Sequence, residues 1–172
     1  MLRIGVSVAV PDPWGAELQD YRVALGDESA ARIPSHITLL PPYDVARDDM
    51  PVITEHLEDA ARRAAPFRIH LRGTGTFRPV SPVVFVGVVA GISSCEQLAK
   101  QVRSGPLVTE VAFPYHPHVT VAHHLDDVAL DKAFHELGSF ECEFDVEEFW
   151  LYEHDDHAGW QPTRSFMLSG SE

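Results

Sequence analysis

His36-Ile37-Thr38-Leu39-Leu40-Pro41-Pro42 and His118-Val119-Thr120-Val121-Ala122-His123 decide the reading of this chain. Each stretch sets a threonine two residues after a histidine and continues with an apolar residue. Each follows a proline-bearing approach, Pro34-Ser35 in one case and Pro114 to Pro117 in the other. No other His-x-Thr triplet occurs, and the two stand 118 − 36 = 82 residues apart, close to half of the 172-residue length. Residues i and i+2 of a strand project from the same face, so each motif predicts a strand that shows His and Thr on one side and its apolar residues on the other. Two such strands facing each other make a four-residue pocket.

Working outward, the halves repeat an order of elements. Leu2 to Val10 alternates as a strand, and Trp14 to Leu25 carries apolar residues at helical spacing after Asp12-Pro13. The first motif reads as a short strand ended by Pro41 and Pro42, and a helix follows over Met50 to Ala64. Phe67 to Phe77 and the run Val83 to Val89 read as a hairpin turned by Pro79-Val80-Ser81-Pro82. Ile92 to Val102 fits a helix, and the second motif is a short strand after Phe113-Pro114. Val128 to Leu137 is a helix stopped by Gly138. Phe140 to Glu153 reads as one long alternating strand region, with a last strand over Ser165 to Leu168. No linker separates the halves, so residues 1–172 are expected to form one unit.

Bulk properties narrow the function. A formal charge of −13 disfavours a binder of long nucleic acid, which neutralises many phosphates with clustered Lys and Arg. A small phosphodiester or an RNA end stays open, because a few local donors outweigh distant, screened charge. No apolar run approaches the roughly 20 residues that cross a bilayer, so no membrane partner is expected. The N-terminal MLRIGVSVAVPDPWG reads as a strand and not as a cleavable leader. Cys95 and Cys142 form neither a metal motif nor a disulfide framework, which fits a reducing compartment, with cytoplasm as the default. A monomer is expected.

Imidazole titrates near neutral pH, so two histidines supply the base that activates an attacking hydroxyl and the acid that protonates a leaving oxygen. Threonine hydroxyls donate to non-bridging oxygens as charge grows on them. His36, Thr38, His118 and Thr120 are thus candidate catalytic residues for phosphodiester chemistry without metal or cofactor, with a bell-shaped pH dependence around neutrality. Arg78 is a candidate phosphate contact, Phe85 a candidate base-stacking ring, and Tyr43 and Tyr115 candidate hydrogen-bonding groups. The competing readings are a metal-dependent hydrolase using the cluster from His116 to Asp127, and a non-catalytic phosphate- or nucleotide-binding module. His154-Asp155-Asp156-His157 has metal-like composition but reads as a solvated hairpin tip.

The paired motifs, their proline approaches, the GTFRPVSPVVFVGV hairpin (75–88) and the closing LYEHDDHAGWQPTRSFML (151–168) together resemble the two-histidine phosphoesterase superfamily, which includes LigT-like 2′-5′ RNA ligases and 2′,3′-cyclic phosphodiesterases. The resemblance covers nearly the whole chain. It implies a bilobal α+β fold of two similar antiparallel sheets, helices outside, around a central cleft. It also implies catalysis by His36, Thr38, His118 and Thr120, on 2′,3′-cyclic phosphates of nucleotides or RNA ends or in the reverse 2′-5′ ligation. Few basic residues are visible beside the motifs.

Overall fold

The computed structural model describes residues 1–110 and 114–171. Phe113, which introduces the second motif in sequence, lies outside the described residues. The elements follow the order β1 (Leu2–Ala9), α1 (Trp14–Leu25), β2 (His36–Val45), α2 (Met50–Arg62), β3 (Phe67–Thr76), β4 (Val83–Ala90), α3 (Ile92–Val102), β5 (His118–His123), α4 (Asp127–Glu136), β6 (Glu141–Val146), β7 (Glu148–Asp155) and β8 (Gly159–Met167).

The strands form two four-stranded antiparallel sheets, ordered β2-β1-β7-β8 and β5-β4-β3-β6. The fold is α+β. Each motif strand is the edge of its sheet and pairs with the strand that precedes it through a helix, β1-α1-β2 in one half and β4-α3-β5 in the other. The two edges approach each other, and the helices cross over: α1 packs against β5 and α3 against β2. A single apolar cluster runs through both halves, with Ile37, Leu39, Val119 and Val121 fully buried in it. Burial of these side chains, each contributing about 1.5–3 kcal/mol, fixes the register that turns the histidines and threonines outward.

Three sequence expectations need correction. Pro41 and Pro42 do not end β2, which runs on to Val45 across a pairing irregularity opposite Ile4 and Val6. An edge strand tolerates prolines because its outer N–H groups have no ladder partner to lose. The long alternating region of Phe140 to Glu153 is two strands in different sheets. Cys142, Phe144 and Val146 are buried, then Phe149 and Leu151, so the alternation slips phase at Glu147, where the chain passes from one sheet to the other. The last strand is also longer than expected, because β8 begins at Gly159. Among the described residues no helix is long and apolar enough to cross a membrane.

Candidate active site

Strand parity leaves His36 and Thr38 half-buried on β2 and His118 and Thr120 half-buried on β5, while their apolar neighbours are buried. Both motifs anchor the imidazole in the same way. His36 Nδ1 lies 2.6 Å from the Pro34 carbonyl and His118 Nδ1 lies 2.7 Å from the His116 carbonyl. A carbonyl only accepts, so in each ring Nδ1–H is the donor and the proton-exchanging nitrogen is Nε2. The sequence thereby sets tautomer as well as position, since the accepting carbonyl belongs in each case to the residue two before the histidine.

Thr38 stands where two spaces meet. One is a cleft of about 720 Å³ lined by Thr38, Pro41, Phe77, Val80, Ser81, Arg103, Pro114, Tyr115, His116 and His118. The other is an apolar recess that includes Gly5, Ser7, Pro34, His36, Thr38, Tyr152 and Trp160. Thr120 pairs with Phe85 in the β4–β5 ladder, as Thr38 pairs with Ser7 in the β1–β2 ladder.

The four candidate contact residues fare differently. Arg78 is directed away from the cleft lining, with Nη1 donating to Asp131 at 2.9 Å and Nε to Thr76 Oγ1 at 3.1 Å; carboxylates on α4 already compensate its charge. Phe85 lies over Gly75, where any Cβ would come within 2.5 Å of its ring, and it is buried with its centroid 5.3 Å from that of His118. It supports the imidazole instead of offering a free face to a base. Tyr43 donates to the Val108 carbonyl at 3.3 Å and is absent from the lining of both spaces. Tyr115 does line the cleft, but its hydroxyl donates to the Thr38 carbonyl at 2.7 Å, tying the halves together behind the motif.

Sequence reading missed Phe77, whose ring stands edge-on to His118 with centroids 5.0 Å apart and lines the cleft. It also missed Trp160, Tyr152 and Arg103. Trp160 and Tyr152 belong to strands at the far end of the chain, and alternation alone cannot tell a cleft face from a solvent face. The cluster from His116 to Asp127 is split in the fold. His116 packs with Phe77 and His118, His123 stacks on His124 at 3.7 Å, and Asp126 caps α4 by accepting from Ala129 N. Among the described residues no three His, Cys, Asp or Glu side chains are grouped to share a metal ion. In the segment from His154 to His157, Asp155 accepts from the backbone N–H of His157 and of Ala158, as a turn residue does.

Burial pushes His36, His118 and His123 below the usual histidine pKa, and like charge adds to it: Arg22 at His36, His116 and His36 at His118, and His124 and Arg22 at His123. The bonds to the Pro34 and His116 carbonyls oppose the shift without reversing it. A histidine that resists protonation in the native state binds more protons unfolded, so its contribution to stability rises with pH. Stability should therefore fall as pH drops from about 6.5, the unfolded value, through the lower native values. Urea midpoints between about pH 7 and 5 measure this, and His36→Gln should flatten the slope; an equal slope in wild type and variant would contradict the assignment.

Residues 10–158 match the sequence profile of the 2′-5′ RNA ligase superfamily. A Bacillus licheniformis protein named "Putative phosphoesterase" is 27% identical over 147 residues, covering 83% of this chain and 85% of its own length. One of the same description from Halalkalibacterium halodurans is 22% identical over 173 residues, covering 99% of this chain and all of its own. Among solved structures, TT0787 of Thermus thermophilus superposes with a TM-score of 0.73 at 23% identity, covering 99% of this chain and 100% of its own. E. coli LigT complexed with NADP+ superposes with a TM-score of 0.70 at 22% identity, covering 98% of both.

Proposed function

The chain belongs to the 2′-5′ RNA ligase superfamily, and on that footing we propose that it is a metal-independent phosphoesterase that opens 2′,3′-cyclic phosphates of nucleotides or RNA ends. The observation that carries the reading is the matched anchoring of two imidazoles, Nδ1 to a carbonyl in both motifs, with Nε2 left for proton transfer beside a threonine of the same strand.

In hydrolysis one Nε2 takes a proton from water as its oxygen attacks phosphorus in line. The bond to O2′ or O3′ breaks, and the other histidine, initially protonated, gives its proton to that oxygen. Thr38 and Thr120 hydroxyls donate to the non-bridging oxygens as negative charge accumulates on them. With a terminal 5′-hydroxyl in place of water, the same groups take its proton as it attacks phosphorus and protonate O3′ as the P–O3′ bond breaks, giving a 2′-5′ bond. E. coli LigT has been solved with 3′-AMP and with phosphate, which supports a nucleoside phosphate as the ligand class here. The deciding assay offers the four nucleoside 2′,3′-cyclic phosphates, other phosphodiesters and short RNAs with cyclic ends, and identifies the monoester formed. A blank across that panel would leave phosphate binding without catalysis.

Exhaustive chelation should leave turnover unchanged, since side chains supply both proton transfers and the stabilisation of the oxyanion. Activity lost to chelator and restored by zinc or manganese would overturn the mechanism.

A further inference from the structure

Arg103, at the C-terminal end of α3, is the one Lys or Arg among the described residues lining the cleft. Among the described residues, nine of the thirteen Lys and Arg side chains lie within ion-pair distance of a carboxylate. Arg103 is not one of them among the described residues, although the chain carries 26 acidic residues to choose from. Its Nε donates to the Leu39 carbonyl at 2.6 Å, and its guanidinium carbon sits 5.1 Å from the Tyr115 ring centroid. Neither partner is an anion, and burial lowers its pKa. A half-buried cation without a counter-ion is costly, and a ligand anion relieves that cost.

The fold supplies its own control. Arg22 lies near the end of α1, 14 residues before His36, much as Arg103 lies 15 before His118. Arg22 is 5% exposed and pairs with Asp27 at 3.0 Å. Five residues after Arg22 stands Asp27; five after Arg103 stands Val108. The dipole of each helix favours a basic residue at its C-terminal end, but it does not account for the missing carboxylate. The charge is also one-sided in the site. The recess beside His36 holds Tyr152, Trp160 and prolines with no Lys or Arg among its described residues, and the wide part beside His118 holds Arg103.

We infer that the wide part of the cleft is a subsite for a second phosphate, bound by Arg103, so that the favoured substrate carries a phosphate besides the one that reacts. This rests on the phosphoesterase reading for the placement of the reacting phosphate at the two histidines. The Nη groups of Arg103, not engaged by Leu39, form the fork that meets phosphate oxygens.

Calorimetric titration of the full chain with adenosine 3′-phosphate and adenosine 3′,5′-bisphosphate tests the inference. Wild type should bind the bisphosphate about tenfold or more tightly than the monophosphate. In Arg103→Met that ratio should collapse toward one, and Arg103→Lys, a point charge without the fork, should restore part of it. Unfolding midpoints of the variants check the Leu39 contact. A wild-type ratio near one, failure to bind either ligand, or a ratio that survives Arg103→Met overturns the inference. If no cyclic phosphate is opened yet the Arg103-dependent ratio holds, the subsite stands and the reaction assigned above falls.

Discussion

His36→Ala and His118→Ala are each expected to lower turnover of a nucleoside 2′,3′-cyclic phosphate by a factor on the order of 10² or more, about 2.7 kcal/mol of transition-state stabilisation. Each removes one of two proton-transfer groups, and in the ring that remains the Nδ1 bond to the Pro34 or His116 carbonyl leaves one exchangeable nitrogen. The double variant should be little worse than either single one, because the two rings serve one displacement and losing either already breaks it. Thr38→Ala and Thr120→Ala should cost less, since each removes one hydroxyl donor while the proton path stays intact. The fold should survive all four changes: burial of the motif strands rests on Ile37, Leu39, Val119 and Val121, all at 0% exposure. Steady-state kinetics with unfolding midpoints as a control decide the matter, and near-normal turnover in either histidine variant would end the two-histidine account for this protein.

The sequence shows the motifs plainly because His36 to Leu39 and His118 to Val121 each pair a period-two alternation with a chemical repeat. The same alternation is silent on which sheet a strand joins. At Glu147 the chain leaves β6 for β7 without a glycine or proline, and the sole signal is a one-residue slip in the buried positions. Contacts made across the halves are less visible still. Arg78 sits beside the hairpin, where a phosphate contact is reasonable, yet Asp131 from α4 holds it. Arg103 carries no motif, and it reaches the site because α3 packs on the strand of the opposite half and Leu39 offers a free carbonyl there. Charge counts from sequence sum over all residues, whereas a site is decided by which cations lack a carboxylate.

The pH dependence should separate the free enzyme from its complex. One histidine must be neutral and the other protonated for a turnover, so kcat/KM should follow a bell whose two apparent pKa values belong to the pair. Sequence alone centres that bell near neutrality. In the structure burial holds both imidazoles below the ordinary histidine value, and the charge of His36 further disfavours protonation of His118. The kcat/KM bell should therefore peak on the acid side of about pH 6.5, falling about tenfold per pH unit beyond each limb. Bound substrate brings a phosphate anion to both Nε2 atoms and favours their protonated forms, so the bell in kcat should lie at higher pH than the bell in kcat/KM. Loss of the general base removes the acidic limb and loss of the general acid the alkaline one. Residual rates of His36→Ala and His118→Ala should then slope in opposite directions and assign the two roles. Circular dichroism at each pH separates this from the acid destabilisation that the same depressed pKa values produce. A kcat/KM optimum well above pH 7 would contradict the effect of burial, and a flat profile from about pH 5 to 9 with chemistry rate-limiting would contradict paired imidazole catalysis itself.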